Sequence, residues 1–199
     1  MFYPETDYEF QNWYFPILPK EPFTLLDLGC GNQQRSRHFN FSKCTAVDVD
    51  ENHRGKGHPE AEFICSDIIE FLQKDKTIYD VVFAAEVVEH QFFKIALEMI
   101  KLMKARTGKI LIIVTPDGFS YNFQEAEYEE AGLQHVRKDK LALNPYDHHC
   151  GFTQDQYEFL GFEVKRYINI REGMKIQHDK YQIPYPPSWD RLMTYWRPA

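Results

Sequence analysis

Nine residues restrict this chain more than any other stretch. Thr24-Leu25-Leu26-Asp27-Leu28-Gly29-Cys30-Gly31-Asn32 is an apolar run that stops at two glycines one residue apart. A short apolar run reads as a strand buried on both faces of a parallel sheet, and glycines directly after it let the backbone turn tightly and approach a ligand. This is the pattern of a nucleotide-type pocket at a strand's carboxyl end, although ordinary strand-to-helix turns share it. The following strand favours the pocket. Lys43-Cys44-Thr45-Ala46-Val47-Asp48-Val49-Asp50 is β-rich and ends in carboxylates, with Asp48 seventeen residues after Gly31. In dinucleotide folds an acid roughly 20 residues beyond the glycines accepts hydrogen bonds from ribose hydroxyls.

Two features argue against a dinucleotide. The turn continues Asn32-Gln33-Gln34, so the third glycine of GxGxxG is missing, and Asp27 stands where it would repel a pyrophosphate. A carboxylate at that place suits a cationic group. The stretch resembles motif I, D-x-G-x-G, of the class I S-adenosylmethionine-dependent methyltransferases, and the likeness extends over roughly residues 22–170. The resemblance implies a Rossmann-like fold with S-adenosyl-L-methionine as cofactor. Asp27, Gly29 and Gly31 would serve its amino-acid end, Asp48 its ribose, Asp67 and the Ile68 N–H its adenine, and Glu86 would line the same site.

The coarse pattern is α/β. Strands are expected at Phe23–Leu28, Cys44–Val49, Glu62–Asp67, Tyr79–Ala85, Lys109–Thr115 and Phe162–Ile168. Helices are expected over 34–39, 68–73, 92–104 and 154–160. Asp67 is placed to N-cap the second, and Thr153 with Gln156 forms a capping box on the last. The third should bury Phe92, Phe93, Ala96, Met99, Ile100 and Met103, and the loop His53–Pro59 should leave His53 and His58 solvated. Successive right-handed βα units give a doubly wound, mostly parallel sheet.

With 199 residues, 43% of them hydrophobic, one domain over 1–199 is expected. It divides into an aromatic N-terminal helix within 1–21 carrying Phe10, Trp13 and Tyr14, a core over 22–170 with an insertion at 119–150, and a tail at 171–199. The insertion reads as a substrate cover or as a solvated excursion. The tail, rich in proline and aromatics, is expected to pack over a sheet edge or an interface, which would make a homo-oligomer. Net charge is −7, and basic residues cluster only at Arg137-Lys138-Asp139-Lys140, which disfavours a long polyanion while allowing contact with a few phosphates. Cys30, Cys44, Cys65 and Cys150 lack CxxC spacing and read as reduced thiols of a cytoplasmic protein. No leader pattern and no run near ~18 apolar residues point to a membrane.

Glu86-Val87-Val88-Glu89-His90 is the most distinctive constellation. On a helix beginning here, Glu86, Glu89 and His90 project from one face beside the cofactor, where they could ligate a divalent ion or move protons. Lining the cofactor site or capping the helix is the alternative. Glu86, His90 and His148 are the catalytic candidates. The set also resembles the metal-dependent RNA 3'-terminal 2'-O-methyltransferases, which carry E-x-x-E-H after strand four and a later D-H matched by Asp147-His148. That likeness implies Mg2+ or Mn2+ held by Glu86, Glu89, His90 and His148 on the terminal ribose. It departs after His148, where the family has a lysine and F-E-W-T and this chain has His149-Cys150-Gly151-Phe152-Thr153. His148-His149-Cys150 also lacks the partner pair that a closed zinc site requires.

Small-molecule O- and N-methyltransferases show E-V-x-E-H too, with a histidine shortly before F-T and a terminal GFEV-type strand, and this parallel needs fewer coincidences. The expected function is therefore methyl transfer to oxygen or nitrogen on a small molecule. The alternatives are an RNA 3'-terminal ribose as acceptor and, from another class, a non-catalytic binding module on the same fold.

Overall fold

The computed structural model describes residues 14–33, 35–118, 149–167 and 191–199. Seven strands form one sheet: β1 (Phe23–Leu28), β2 (Phe41–Asp48), β3 (Ala61–Cys65), β4 (Tyr79–Ala85), β5 (Thr107–Pro116), β6 (Glu163–Tyr167) and β7 (Arg191–Trp196). Their order is β3-β2-β1-β4-β5-β7-β6. The first five run parallel, and β7 is antiparallel to both neighbours. The expected mostly parallel, Rossmann-like sheet is thus present.

Strand order reverses at β1, which has β2 on one side and β4 on the other. At such a point the connections leave in opposite directions and open a crevice beyond the carboxyl ends. The Gly29–Gly31 turn lies there because β1 ends at Leu28.

Apolar residues line both faces of the central strands. Leu26, Leu28, Val82, Ala84, Leu111 and Ile113 pack with α1 (Ile68–Lys74) and α2 (Phe93–Arg106) through Leu72, Ala96, Met99 and Met103. The opposite face carries Leu25, Ala46, Val81, Phe83, Ile110 and Ile112 beneath Tyr14 and Phe39. Tyr14, Phe39 and Phe83 meet edge-to-face with centroids 5.2 to 5.8 Å apart. Such ring pairs add directional attraction to the burial of their area.

Several expectations are corrected. Of the helix expected over 34–39, the described residues 35–39 are turns instead, with Arg37 N–H donating to Gln33 O and Phe39 N–H to Ser36 O. Phe39 reaches the aromatic cluster from those turns. Phe92 and Phe93 are exposed instead of buried, because they stand at the N-cap and first position of α2; their rings stack on His149 and Phe152. The described part of the tail does not cover an edge. It is β7, inserted between β5 and β6, with Thr194 fully buried. The capping box at Thr153 and Gln156 is formed on α3 (Gln154–Phe159). Phe10 and Trp13, the 119–148 portion of the insertion and residues 168–190 lie outside the described residues.

Candidate active site

The glycine turn is built by close approach. Gly29 and Cys30 donate their N–H groups to Val47 O at 2.8 and 3.1 Å, binding the turn to β2. Gly29 has φ +63°, and a Cβ there would lie 2.3 Å from Val87 Cγ2. Gly31 has φ +49° with nothing within 4 Å of where its Cβ would be, so the turn presents bare backbone to open space. Open space over a backbone in this conformation is what a closely approaching ligand requires.

Carboxylates flank the turn. Asp48 accepts from Gly31 N–H at 2.8 Å and Asp50 N–H at 2.9 Å, and His53 Nδ1 lies 3.2 Å from it. His53 is thereby drawn out of the solvated loop expected for it. The N–H of His58 donates to Gln33, and its ring packs edge-on against Phe41. Asp27 is buried and accepts from Ser36 Oγ and, at 3.4 Å, from Gln33 Nε2. Burial pushes its carboxyl up to about 6, against the two hydrogen bonds, which favour the ionised form. Asp67 N-caps α1 by accepting from Glu70 N–H at 3.0 Å, and Ser66 N–H donates to Asp48 O, which holds this corner beside Asp48.

The Glu86–His90 segment is not the expected helix. Glu86 adopts φ +58° and only Val88–His90 coil, as one 3-10 turn, so the three side chains share no α-helical face. Glu86 lies at the mouth of the site, 3.6 Å from Arg35 and 3.0 Å from Arg191. Glu89 points inward, is 1% exposed and accepts from Thr115 Oγ1 at 3.1 Å. Burial, and then the neighbouring charge of Glu86, push its carboxyl well above the usual carboxylate range. Its carbonyl accepts from His149 and Cys150 N–H at 2.8 and 3.1 Å. His90 is half-buried at the end of the turn. His148 lies outside the described residues. Among the described residues no three of His, Cys, Asp and Glu gather closely enough to hold a metal ion.

A cavity of about 180 Å³ opens here, lined by Asp27, Gly29, Arg35, Ser36, Phe83 and Glu86 among others. Ligand clefts commonly span ~300–1,000 Å³, so it has room for only part of a ligand of that size. The lining offers carboxylates and a guanidinium, the complements of an amino acid's ammonium and carboxylate. The donors fit the amino-acid end of S-adenosylmethionine. Burial raises the thiols of Cys44 and Cys150 to about 12 and that of Cys30 further, so the buried cysteines stay protonated. Arg35, Arg191, Gln33, Ser36 and Thr115 were not legible as site residues in the sequence. Each is an ordinary polar residue outside any motif, and Arg191 sits in the tail.

Residues 26–113, from β1 to β5, match the family model described as a methyltransferase domain. No curated protein matches the chain by sequence. In fold it is similar to the N-methyltransferase NodS from Bradyrhizobium japonicum WM9 in complex with S-adenosyl-L-homocysteine, with TM-score 0.61 and 13% identity over 97% of this chain and 85% of that one. A SAM-dependent methyltransferase from Archaeoglobus fulgidus gives TM-score 0.60 and 17% identity over 96% and 93%. Magnesium protoporphyrin IX methyltransferase from Synechocystis PCC 6803, with bound S-adenosyl-L-homocysteine, gives 0.60 and 13% over 98% and 83%. Residues 26–113 thus match a methyltransferase domain, and the chain shares the Rossmann-like fold of these methyltransferase structures.

Proposed function

We propose that this methyltransferase acts on an oxygen or nitrogen of a small-molecule acceptor. The observation that carries this choice over the RNA reading is the disposition of the two glutamates. Glu86 is engaged by Arg35 and Arg191, whereas Glu89 turns away into the core toward Thr115. A terminal-ribose enzyme of the metal-dependent kind would need both on one ion. The net charge of −7 adds to the preference, since a polyanion is repelled by it. Among the structures of this fold, one is named as an N-methyltransferase and another for a porphyrin acceptor.

S-adenosylmethionine, when bound, supplies a methyl group activated on a sulfonium. The chain's residues hold and align it, and alignment is the larger part of catalysis for an in-line displacement. Asp27 and Glu86 would face its ammonium, Arg35 its carboxylate, Asp48 the ribose hydroxyls, and Asp67 with the Ile68 N–H the adenine. Glu86 and His90 are the described groups that would take the acceptor's proton. His148 is the third candidate.

The test titrates S-adenosylmethionine by calorimetry, then Mg2+ and Mn2+ in its presence, and follows S-adenosylhomocysteine release with small O- and N-nucleophiles and with an RNA 3'-end oligonucleotide. Turnover on small nucleophiles without added metal is the expected outcome. Metal binding that disappears in Glu89→Ala and His148→Ala, with methylation of the oligonucleotide, would replace this reading by the RNA one. No cofactor binding would leave only a binding module.

A further inference from the structure

The residue two places beyond Gly31 is in a conformation that ordinary side chains avoid. Gln33 has φ +55°, a left-handed geometry that is strained for a non-glycine residue. It is nevertheless 3% exposed, and its hydrogen-bonding groups are engaged. Its N–H donates to Cys30 O at 2.8 Å and its carbonyl accepts from Arg37 N–H at 2.9 Å. In the side chain, Nε2 donates to Asp27 Oδ2 and to Cys44 Sγ, each at 3.4 Å, and Oε1 accepts from His58 N–H at 2.8 Å. These partners fix which way the carboxamide points, since an N–H can only donate to Oε1 and a carboxylate can only accept from Nε2.

The surrounding chain makes room for that one group. A Cβ on Gly57 would lie 2.1 Å from Gln33 Oε1 and 2.8 Å from Cδ, so a side chain at 57 would displace the carboxamide. Gly57 needs no left-handed backbone, so its small size is what the packing uses. Gln33 also stands between two cavities and lines both: the 180 Å³ cavity beside Asp27, and a second of about 80 Å³ walled by His53, Gly55, Gly57 and Phe63. The loop whose His58 N–H donates to Gln33 also carries His53, which lies against Asp48.

We infer that Gln33 is a positioning residue for the cofactor's amino-acid end: its buried carboxamide anchors the Asp27 carboxylate to the His58 loop and keeps it aimed into the cavity. The inference rests on the assignment of Asp27 to that end of S-adenosylmethionine. Strain at Gln33 persists because the side chain satisfies three partners at once, and strained backbone of this kind is held only where the surroundings over-determine it. Its direct contact is with the amino-acid end of the ligand's site, since Asp48 takes its hydrogen bonds from the Gly31 and Asp50 N–H groups and none from Gln33.

Two variants of the full chain test it. Gln33→Asn tolerates a left-handed backbone but is too short to reach both Asp27 and His58, and Gly57→Ala leaves Gln33 in place while pushing its carboxamide away. Calorimetric affinities are measured for S-adenosylhomocysteine and for 5'-deoxy-5'-methylthioadenosine, which lacks the amino-acid end. The expected result is a loss of about tenfold for the first ligand in both variants, the scale of one hydrogen bond to a charged group, with the second ligand unchanged within about twofold. Equal losses for both ligands would overturn the inference in favour of a general structural role. Unchanged affinity for both would overturn it outright. Wild-type protein that binds neither ligand would overturn the cofactor assignment itself, and the inference with it.

Discussion

The guanidinium of Arg191 lies 3.0 Å from the carboxylate of Glu86, joining the last strand of the chain to the turn after β4. Arg191 of β7 pairs with Pro116 at the end of β5, which places it at the carboxyl edge of the sheet. The C-terminal segment therefore braces Glu86, a residue of the cavity wall. A half-buried ion pair of this kind contributes about 1 kcal/mol. Arg191→Ala should weaken S-adenosylhomocysteine binding about fivefold, and Arg191→Lys should recover part of that, since lysine restores charge without the planar fork. Calorimetry with parallel thermal melts checks it; a melting temperature that falls while affinity holds would place Arg191 in the fold alone.

The two glycines of the turn should fail in different ways. Gly29→Ala meets Val87 at 2.3 Å on top of a left-handed φ, so overpacking and strain combine to about 2–4 kcal/mol of lost stability. Gly31→Ala meets nothing and should cost only about 1 kcal/mol, yet its methyl projects into the space a ligand backbone would use. Urea unfolding should thus single out Gly29→Ala, and cofactor binding should be lost in Gly31→Ala protein that is folded.

Thr115 should matter through Glu89. Its hydroxyl donates to a carboxyl group that is 1% exposed and whose other oxygen makes no hydrogen bond among the described residues. Thr115→Val removes that donor at nearly constant volume and should destabilise by about 1–3 kcal/mol, the cost of stranding a buried polar group. Thr115→Ser keeps the hydroxyl and should stay within about 1 kcal/mol. A larger loss in Thr115→Ser than in Thr115→Val would assign the effect to the methyl group's packing.

What the sequence made legible was what period and backbone chemistry dictate. The apolar runs ending at Leu28 and Ala85, the glycines at 29 and 31, the acid at the end of β2 and the caps at Asp67 and Thr153 are local signals, and each stands where it was expected. The misreadings came from tertiary competition. Residues 35–39 have the length for a helical turn or two, but the left-handed Gln33 precedes them and Phe39 packs onto Phe83. Glu86, Glu89 and His90 have helical spacing, which the left-handed Glu86 cancels. Arg191 and Gln33 act through contacts to distant segments, and no local pattern announces such contacts.

Asp27 ties stability and binding to pH in opposite directions. Burial raises its carboxyl from 3.8 to about 6. Between those values the native protein holds a proton that the unfolded chain has released, so stability falls as pH rises through the window and levels off above it. Two units correspond to about 3 kcal/mol. Asp27→Asn keeps an oxygen to accept from Ser36 and Gln33 and removes the titration. Its stability should match wild type near pH 4 and exceed it by on the order of 2–3 kcal/mol at pH 7 and above, as urea unfolding across that range would show. The cofactor's ammonium, by contrast, needs the ionised form. Wild-type affinity for S-adenosylhomocysteine should fall as pH drops below about 6, approaching tenfold per unit, while Asp27→Asn binds weakly and without that slope. A stability difference that stays constant from pH 4 to 8 would mean that Asp27 is not held in a desolvated site, and a wild-type binding curve flat through pH 6 would remove it from the cofactor's amino-acid end.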